Sequence, residues 1–112
     1  MLKYIVDQLI NGKVIGFFHG AFEWGPRALG NRSIIVDPRI SDMKNLLNEK
    51  IKKRESFRPF APSILKDEVK YWFEKDEDVP FMTHVFRIKK EKRKIVPAVT
   101  HFDGTGRLQS VS

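Results

Sequence analysis

Leu2, Ile5, Val6, Leu9 and Ile10 recur at the spacing of one helical face, and Asn11-Gly12 supplies a stop with glycine free to turn left-handed. Lys13–Phe18 is β-branched and aromatic, which predicts a buried strand, with Gly16 marking a bulge or a close backbone approach. The glycine-bearing stretch His19–Asn31 predicts a loop, and Arg32–Val36 a second strand closed by Asp37-Pro38. Ser41 is placed to cap a helix with Asp42 in its first turn and an apolar stripe of Met43, Leu46, Leu47 and Ile51. Pro59 and Pro62 lack an N–H, so the next segment is an edge or short strand. Asp67 is expected to cap a short helix carrying Val69, Trp72 and Phe73. Phe81–Ile88 alternates as a strand, Lys89–Lys94 turns, and Val96–Thr100 and Leu108–Val111 read as further strands. The pattern predicts one mixed α/β domain over residues 1–112, with five or six strands and three helices. Trp24, Trp72 and the phenylalanines are expected in its core.

Composition narrows the class. A hydrophobic fraction of 41% with nine Phe is enough for a core and argues against disorder. The absence of cysteine excludes a disulfide scaffold, a thiolate nucleophile and Cys-based metal sites. The longest apolar run, Val14–Phe18, is far too short to span a bilayer, so no membrane role is expected and the chain reads as soluble and cytoplasmic. A net charge of +7 favours anionic partners. Five of the eight arginines lie between Arg27 and Arg58, among Gly, Pro and Asn. Arginine matches phosphate oxygens two at a time, so that stretch has the character of a site. Lys89, Lys90, Lys92, Arg93 and Lys94 read as a solvated hairpin tip.

Gly25-Pro-Arg-Ala-Leu-Gly30 has the two glycines of a P-loop, but Asn31 stands where the lysine should be and Ile34-Ile35-Val36 continues as a strand, so the P-loop reading fails. What remains is a Gly-rich loop carrying Arg27 and Arg32, which suits either an anion site or an ordinary tight turn with surface arginines. Lys52 and Lys53 are explained by a helix C-terminus attracting cations; Arg58, further on between Phe57 and Pro59, is not. Thr100-His-Phe-Asp-Gly-Thr-Gly-Arg107 carries a hairpin signal at Asp103-Gly104, and His101, Asp103 and Arg107 are candidates at a site mouth, with plain turn chemistry as the alternative. On a strand His101 and Asp103 would share a face as a coupled pair. Glu23 reads as a buried acid paired with a nearby arginine. His19, Glu23 and His84 show no metal-ligand spacing, and no metal site is expected.

Four stretches together are similar to the C-terminal region of the NodU/tobramycin-type O-carbamoyltransferase family, in the family's order and from about Ile5 to Val111. They are Glu23-Trp-Gly-Pro-Arg-Ala-Leu-Gly-Asn-Arg-Ser33, Asp37-Pro-Arg39, Asn48-Glu-Lys-Ile-Lys-Lys-Arg-Glu-Ser-Phe-Arg-Pro-Phe-Ala-Pro62 and Pro97-Ala-Val-Thr-His-Phe-Asp-Gly-Thr-Gly-Arg107. The resemblance implies an α/β (α+β) domain of the YrdC-like kind, an open twisted mixed sheet with flanking helices around a positive cavity. It also implies a domain excised from a larger enzyme, whose missing N-terminal Kae1-like domain transfers the carbamoyl group to a small-molecule hydroxyl. In the YrdC-like part, carbamoyl phosphate and ATP, with Mg²⁺ expected, become carbamoyl adenylate. Carried over by position, Arg27, Arg54 and Arg58 are the catalytic candidates, and Asn31, Arg32, Ser33, Lys52, Arg54 and Arg58 the nucleotide and phosphate contacts. Ala21 stands where the family often has Arg in its Gly-Arg-x-Glu-x-Gly stretch, which removes one anion contact.

Two other classes compete. A basic nucleic-acid-binding module would use the same charge, although here the basic residues cluster in turns rather than alternating with aromatics as in a stacking platform. A non-catalytic structural domain would only support its partner.

Overall fold

The computed structural model describes all 112 residues, Met1–Ser112. The chain divides into two compact units, Met1–Asp37 and Pro38–Ser112.

In the first unit the helical periodicity produces α1 (Leu2–Ile10), and Asn11 ends it by donating from its backbone N–H and its Nδ2 to Asp7 O, with Gly12 following at φ 75°. β1 (Ile15–Phe18) and β2 (Arg32–Ile35) pair antiparallel, from Ile15 opposite Ile35 to Phe18 opposite Arg32. The apolar face of α1 is not a core: Leu2, Val6 and Ile10 are all exposed, and no residue of the helix is buried. A unit of 37 residues has too little volume to enclose such a face. Trp24, Phe18 and Phe22 are exposed as well, contrary to the expectation that the aromatics fill a core.

The second unit holds the core. Val69, Phe73, Val79, Phe86, Ile88 and Leu108 form one buried cluster, with Ile64 and Trp72 packed against it. Around it run α2 (Met43–Leu46), which continues into a π-helical turn over Leu47–Ile51, then β3 (Ser63–Leu65) and α3 (Val69–Trp72) behind a 3₁₀ turn at Lys66–Glu68. β4 (Val85–Arg87), β5 (Thr105–Arg107) and β6 (Gln109–Val111) complete it. β3 pairs parallel with β6, and β4 antiparallel with β5. The α+β class is as expected, while the strands pair two by two in three small sheets rather than in one open sheet.

Residues 105–111 serve two sheets in succession, with Leu108, fully buried, at the switch. Gly106 permits it, because a Cβ there would fall 2.9 Å from Ile88 Cδ1. Ser110 ties β6 inward: its Oγ accepts from Val79 N and donates to Asp78, both at 2.6 Å. Four local expectations differ from what is observed. Neither Ser41 nor Asp67 caps a helix with its side chain. The expected strand at Val96–Thr100 is a 3₁₀ turn at Pro97–Val99, opened by a residue without an N–H and closed by Thr100 Oγ1 donating to Val96 O at 2.8 Å. Arg93 is no solvated tip residue: its Nε donates to Ile88 O at 2.9 Å, and its guanidinium lies where a side chain on Gly104 would go.

Candidate functional site

The basic loop after α2 is built on Asn48. This residue falls in the π-helical turn and is completely buried. A buried amide must satisfy its own donors and acceptor, and Asn48 does so with the loop that follows. Its Nδ2 donates to Ser56 O and Arg58 O, each at 3.0 Å, and its Oδ1 accepts from Arg54 Nε at 2.8 Å. Its backbone carbonyl also accepts from Arg54 N at 2.8 Å. Lys53 takes φ 47°, a strained conformation for a non-glycine residue, as the chain leaves the turn. Phe60 lies beneath the Arg54 guanidinium, 4.9 Å from Cζ to the ring centroid.

Lys52, Arg54 and Arg58 are thereby gathered. Partial burial and then the Arg54 charge push Lys52 below its ordinary value, and burial and then the Arg58 charge do the same to Arg54. The nearby acid is Glu55, which reaches Arg58 at 3.9 Å with both side chains largely exposed. Neighbouring cations that are partly desolvated gain most when an anion offsets their charge.

The Gly-rich loop of the first unit is organised inwardly. Glu23 Oε1 accepts from Asn31 N at 2.6 Å and Leu29 N at 2.9 Å. The Asn31 contact chiefly holds its carboxyl below the usual range, and Arg32 contributes least. Glu23 is therefore a half-buried anchor for backbone amides, not an acid paired mainly with an arginine. Asn31 Nδ2 donates to the carbonyl of Ala21 at 2.8 Å. Arg32 donates from Nη1 to His19 O and Asn31 O and from Nη2 to Gly20 O, at 2.8–2.9 Å, with its guanidinium over Phe18 at 3.3 Å and Phe22 at 4.2 Å. Ser33 sits in β2 opposite Phe17, and Arg27 is exposed at the loop tip.

His101 and Asp103 meet through a residue that sequence reasoning missed. Thr105 donates its hydroxyl to Asp103 Oδ1 at 2.7 Å and its N–H to the same oxygen at 3.0 Å, while its Oγ1 lies 3.0 Å from His101 Nδ1. The hydroxyl has one hydrogen, so His101 Nδ1 is the donor to Thr105 and the neutral ring carries its lone pair on Nε2, which is buried without a partner. Burial lowers the imidazole's proton affinity, the Asp103 charge opposes this, and Lys44 and Arg107 add to the lowering. The two residues belong to a turn, not to one strand face.

A cavity of about 210 Å³ in the second unit is lined by Lys66, Asp67, Lys70, Asp76, Glu77 and Asp78. Its four carboxylates against two ammonium groups make it unlike the positive cavity that the resemblance implies. No three His, Asp or Glu side chains gather as a metal site, and no helix is long and apolar enough to cross a membrane.

The fold and the basic loop define a small α+β domain with Lys52, Arg54 and Arg58 on one loop. Comparison with known proteins gives this class a family. Residues 6–112 match the carbamoyltransferase C-terminus family, and the chain belongs to it. It is 50% identical to the nodulation protein NolO of Bradyrhizobium diazoefficiens over 109 residues, which is 95% of this chain and 20% of that protein. It is 49% identical to NolNO of Sinorhizobium fredii, covering 95% of this chain and 16% of the relative. Nodulation protein U of B. diazoefficiens is 40% identical over 99% of this chain and 19% of its own length. The chain thus spans about a fifth of the length of these curated relatives.

Proposed function

We propose that this chain binds the phosphate groups of carbamoyl phosphate and ATP during formation of carbamoyl adenylate, which a Kae1-like N-terminal domain then uses to carbamoylate a small-molecule hydroxyl. One observation supports the reading: Lys52, Arg54 and Arg58 stand on a loop pinned by a buried amide, where desolvation first, and then the neighbouring arginine charge, lowers the proton affinity of Lys52 and of Arg54. The two ligands together bring about six negative charges, which such a loop relieves and is relieved by.

For atoms to balance, water first displaces phosphate from carbamoyl phosphate, and an oxygen of the resulting carbamate then bonds to the α-phosphorus of ATP as pyrophosphate leaves. Charge grows on phosphoryl oxygens, where fixed guanidinium donors stabilise it most. Arg54 and Arg58 are assigned that work and Lys52 the more diffuse attraction, with Arg27 as the exposed candidate of the Gly-rich loop. Mg²⁺ bound with the nucleotide would neutralise part of the phosphate charge, held by the phosphates rather than by a protein cage. Both ligands are supplied in the cytoplasm, which is where this reading puts the protein.

The nucleic-acid reading fares worse, because the basic residues cluster in turns rather than alternating with aromatics as in a stacking platform. Titration with ATP–Mg²⁺ and with carbamoyl phosphate, followed by backbone amide signals, tests the proposal. Saturable shifts confined to residues 52–58 and 25–33 are expected. Diffuse shifts, with RNA binding that falls steeply with salt, would overturn it.

A further inference from the structure

We infer that Asn48 and Phe60 are positioning residues that hold Arg54 as an end-on fork, so that the loop receives two terminal oxygens of a phosphate group through Nη1 and Nη2. The inference rests on the phosphate-site reading of residues 52–58 and adds to it a binding geometry and two residues that set it.

A guanidinium can chelate an oxyanion along two edges, Nε with Nη2 or Nη1 with Nη2. In this chain Arg54 Nε is already donated to Asn48 Oδ1 at 2.8 Å. That closes the side-on edge, while Nη1 and Nη2 make no hydrogen bond within the chain. The closure is firm because the Asn48 amide is fully committed. Both Nδ2 hydrogens are used, on Ser56 O and Arg58 O. Turning the amide over would set its donors against the Arg54 N–H, so one orientation satisfies all three contacts. Asn48 has no exposure to water, which strengthens these contacts. Phe60 lies against one face of the guanidinium, 4.9 Å from Cζ to the ring centroid, and narrows its rotation. The rotamer entropy of a long side chain is then lost on folding rather than on binding. The same amide holds the backbone carbonyls of Ser56 and Arg58, so one buried side chain fixes the Arg54 side chain and the course of the loop through Arg58.

The test uses this chain with inorganic phosphate and carbamoyl phosphate as probes. In the free chain the Arg54 Nε–Hε signal is expected to exchange slowly with water, unlike that of exposed Arg27. On adding either probe it should stay nearly still while the Arg54 Nη signals and the backbone amides of residues 52–58 move. Asn48→Ala is expected to weaken phosphate binding about tenfold, and Phe60→Leu about threefold. In an Arg54→Ala background neither substitution should weaken binding further, since a positioning residue has nothing left to position. If Asn48→Ala fails to fold, Phe60→Leu and the wild-type Nε–Hε signal still decide. A wild-type chain that binds neither probe overturns the phosphate-site reading and this inference with it. Binding with a rapidly exchanging Nε–Hε, with Nε as the most shifted atom, or with losses that add fully to Arg54→Ala overturns this inference alone.

Discussion

Arg32 and Arg54 both lie in turns next to aromatic rings, and they do opposite things. Arg32 turns its guanidinium inward: three of its N–H groups meet backbone carbonyls of residues 19, 20 and 31, and two phenylalanine rings lie against it. Arg54 commits only Nε, to a buried side chain, and keeps its far edge open. The difference follows from what each loop lacks. The Gly-rich loop has neither helix nor sheet to satisfy its carbonyls, so an arginine does it. The loop after α2 has Asn48 for that task, which leaves the terminal nitrogens of its arginine uncommitted. A basic residue in a loop is therefore a site candidate only once the backbone's own needs have been met.

The sharpest way to break this comparison is to truncate each arginine. Arg54→Ala is expected to weaken carbamoyl phosphate binding about 10–100-fold, the worth of a charge-assisted contact, with little change in melting temperature. Arg32→Ala should do the reverse, destabilising its loop by about 1–2 kcal/mol through lost carbonyl and ring contacts. Amide exchange at His19 and Asn31 together with phosphate titration reads both. Arg54→Ala behaving as a purely structural change would erase the contrast.

The two regions should also separate in acid. His101 has a lowered proton affinity in the fold, so the unfolded chain binds its proton first. Stability conferred by the neutral ring is then complete above its ordinary value of 6.5 and declines as the pH falls below it toward the lower folded value. Glu23 is also lowered, but as an acid: its contribution is complete above 4.5 and is lost as the pH falls through its lower folded value. Unfolding followed from pH 8 to pH 3 should show the second unit weakening about two pH units earlier than the Gly-rich loop. His101→Gln should flatten the first phase and Glu23→Gln the second. A single transition common to both regions would contradict this.

Much of the fold was legible because periodicity and punctuation agreed: α1 with its Asn11-Gly12 stop, and β1 and β2 around the loop, lie within a residue or two of expectation. What was hidden depended on contacts distant in sequence. Thr105-Gly106 reads as part of a turn, and becomes β5 because Gly106 lets Ile88 approach. Phe18 and Phe22 read as core, yet arginine stacking holds them at the surface. The basic loop is visible as composition and family motif; Asn48, its organiser, stands in the sequence only as the first residue of that motif. Its one local signal was a polar residue beside the apolar stripe of α2, which looks the same whether the amide is buried or solvated.

The smallest effect expected tests whether charge alone makes the site. Lys90 and Lys94 are exposed in the turn after β4, and the charges that lower Lys52 and Arg54 are those of Arg54 and Arg58, not of that turn. Replacing both lysines by glutamine should therefore leave carbamoyl phosphate affinity within about twofold, since exposed charges beyond about 10 Å are screened at ordinary salt. Stability should change by no more than about 0.5 kcal/mol. Their neighbours are poor controls, because Lys92 lies over the Trp72 ring and Arg93 is bonded to Ile88 O. Affinity measured at low and at physiological salt separates the contributions: the double variant should differ from wild type only at low salt, where long-range attraction survives. A tenfold loss at physiological salt would mean that the general positive field, rather than the pinned loop at Asn48, gathers the phosphate.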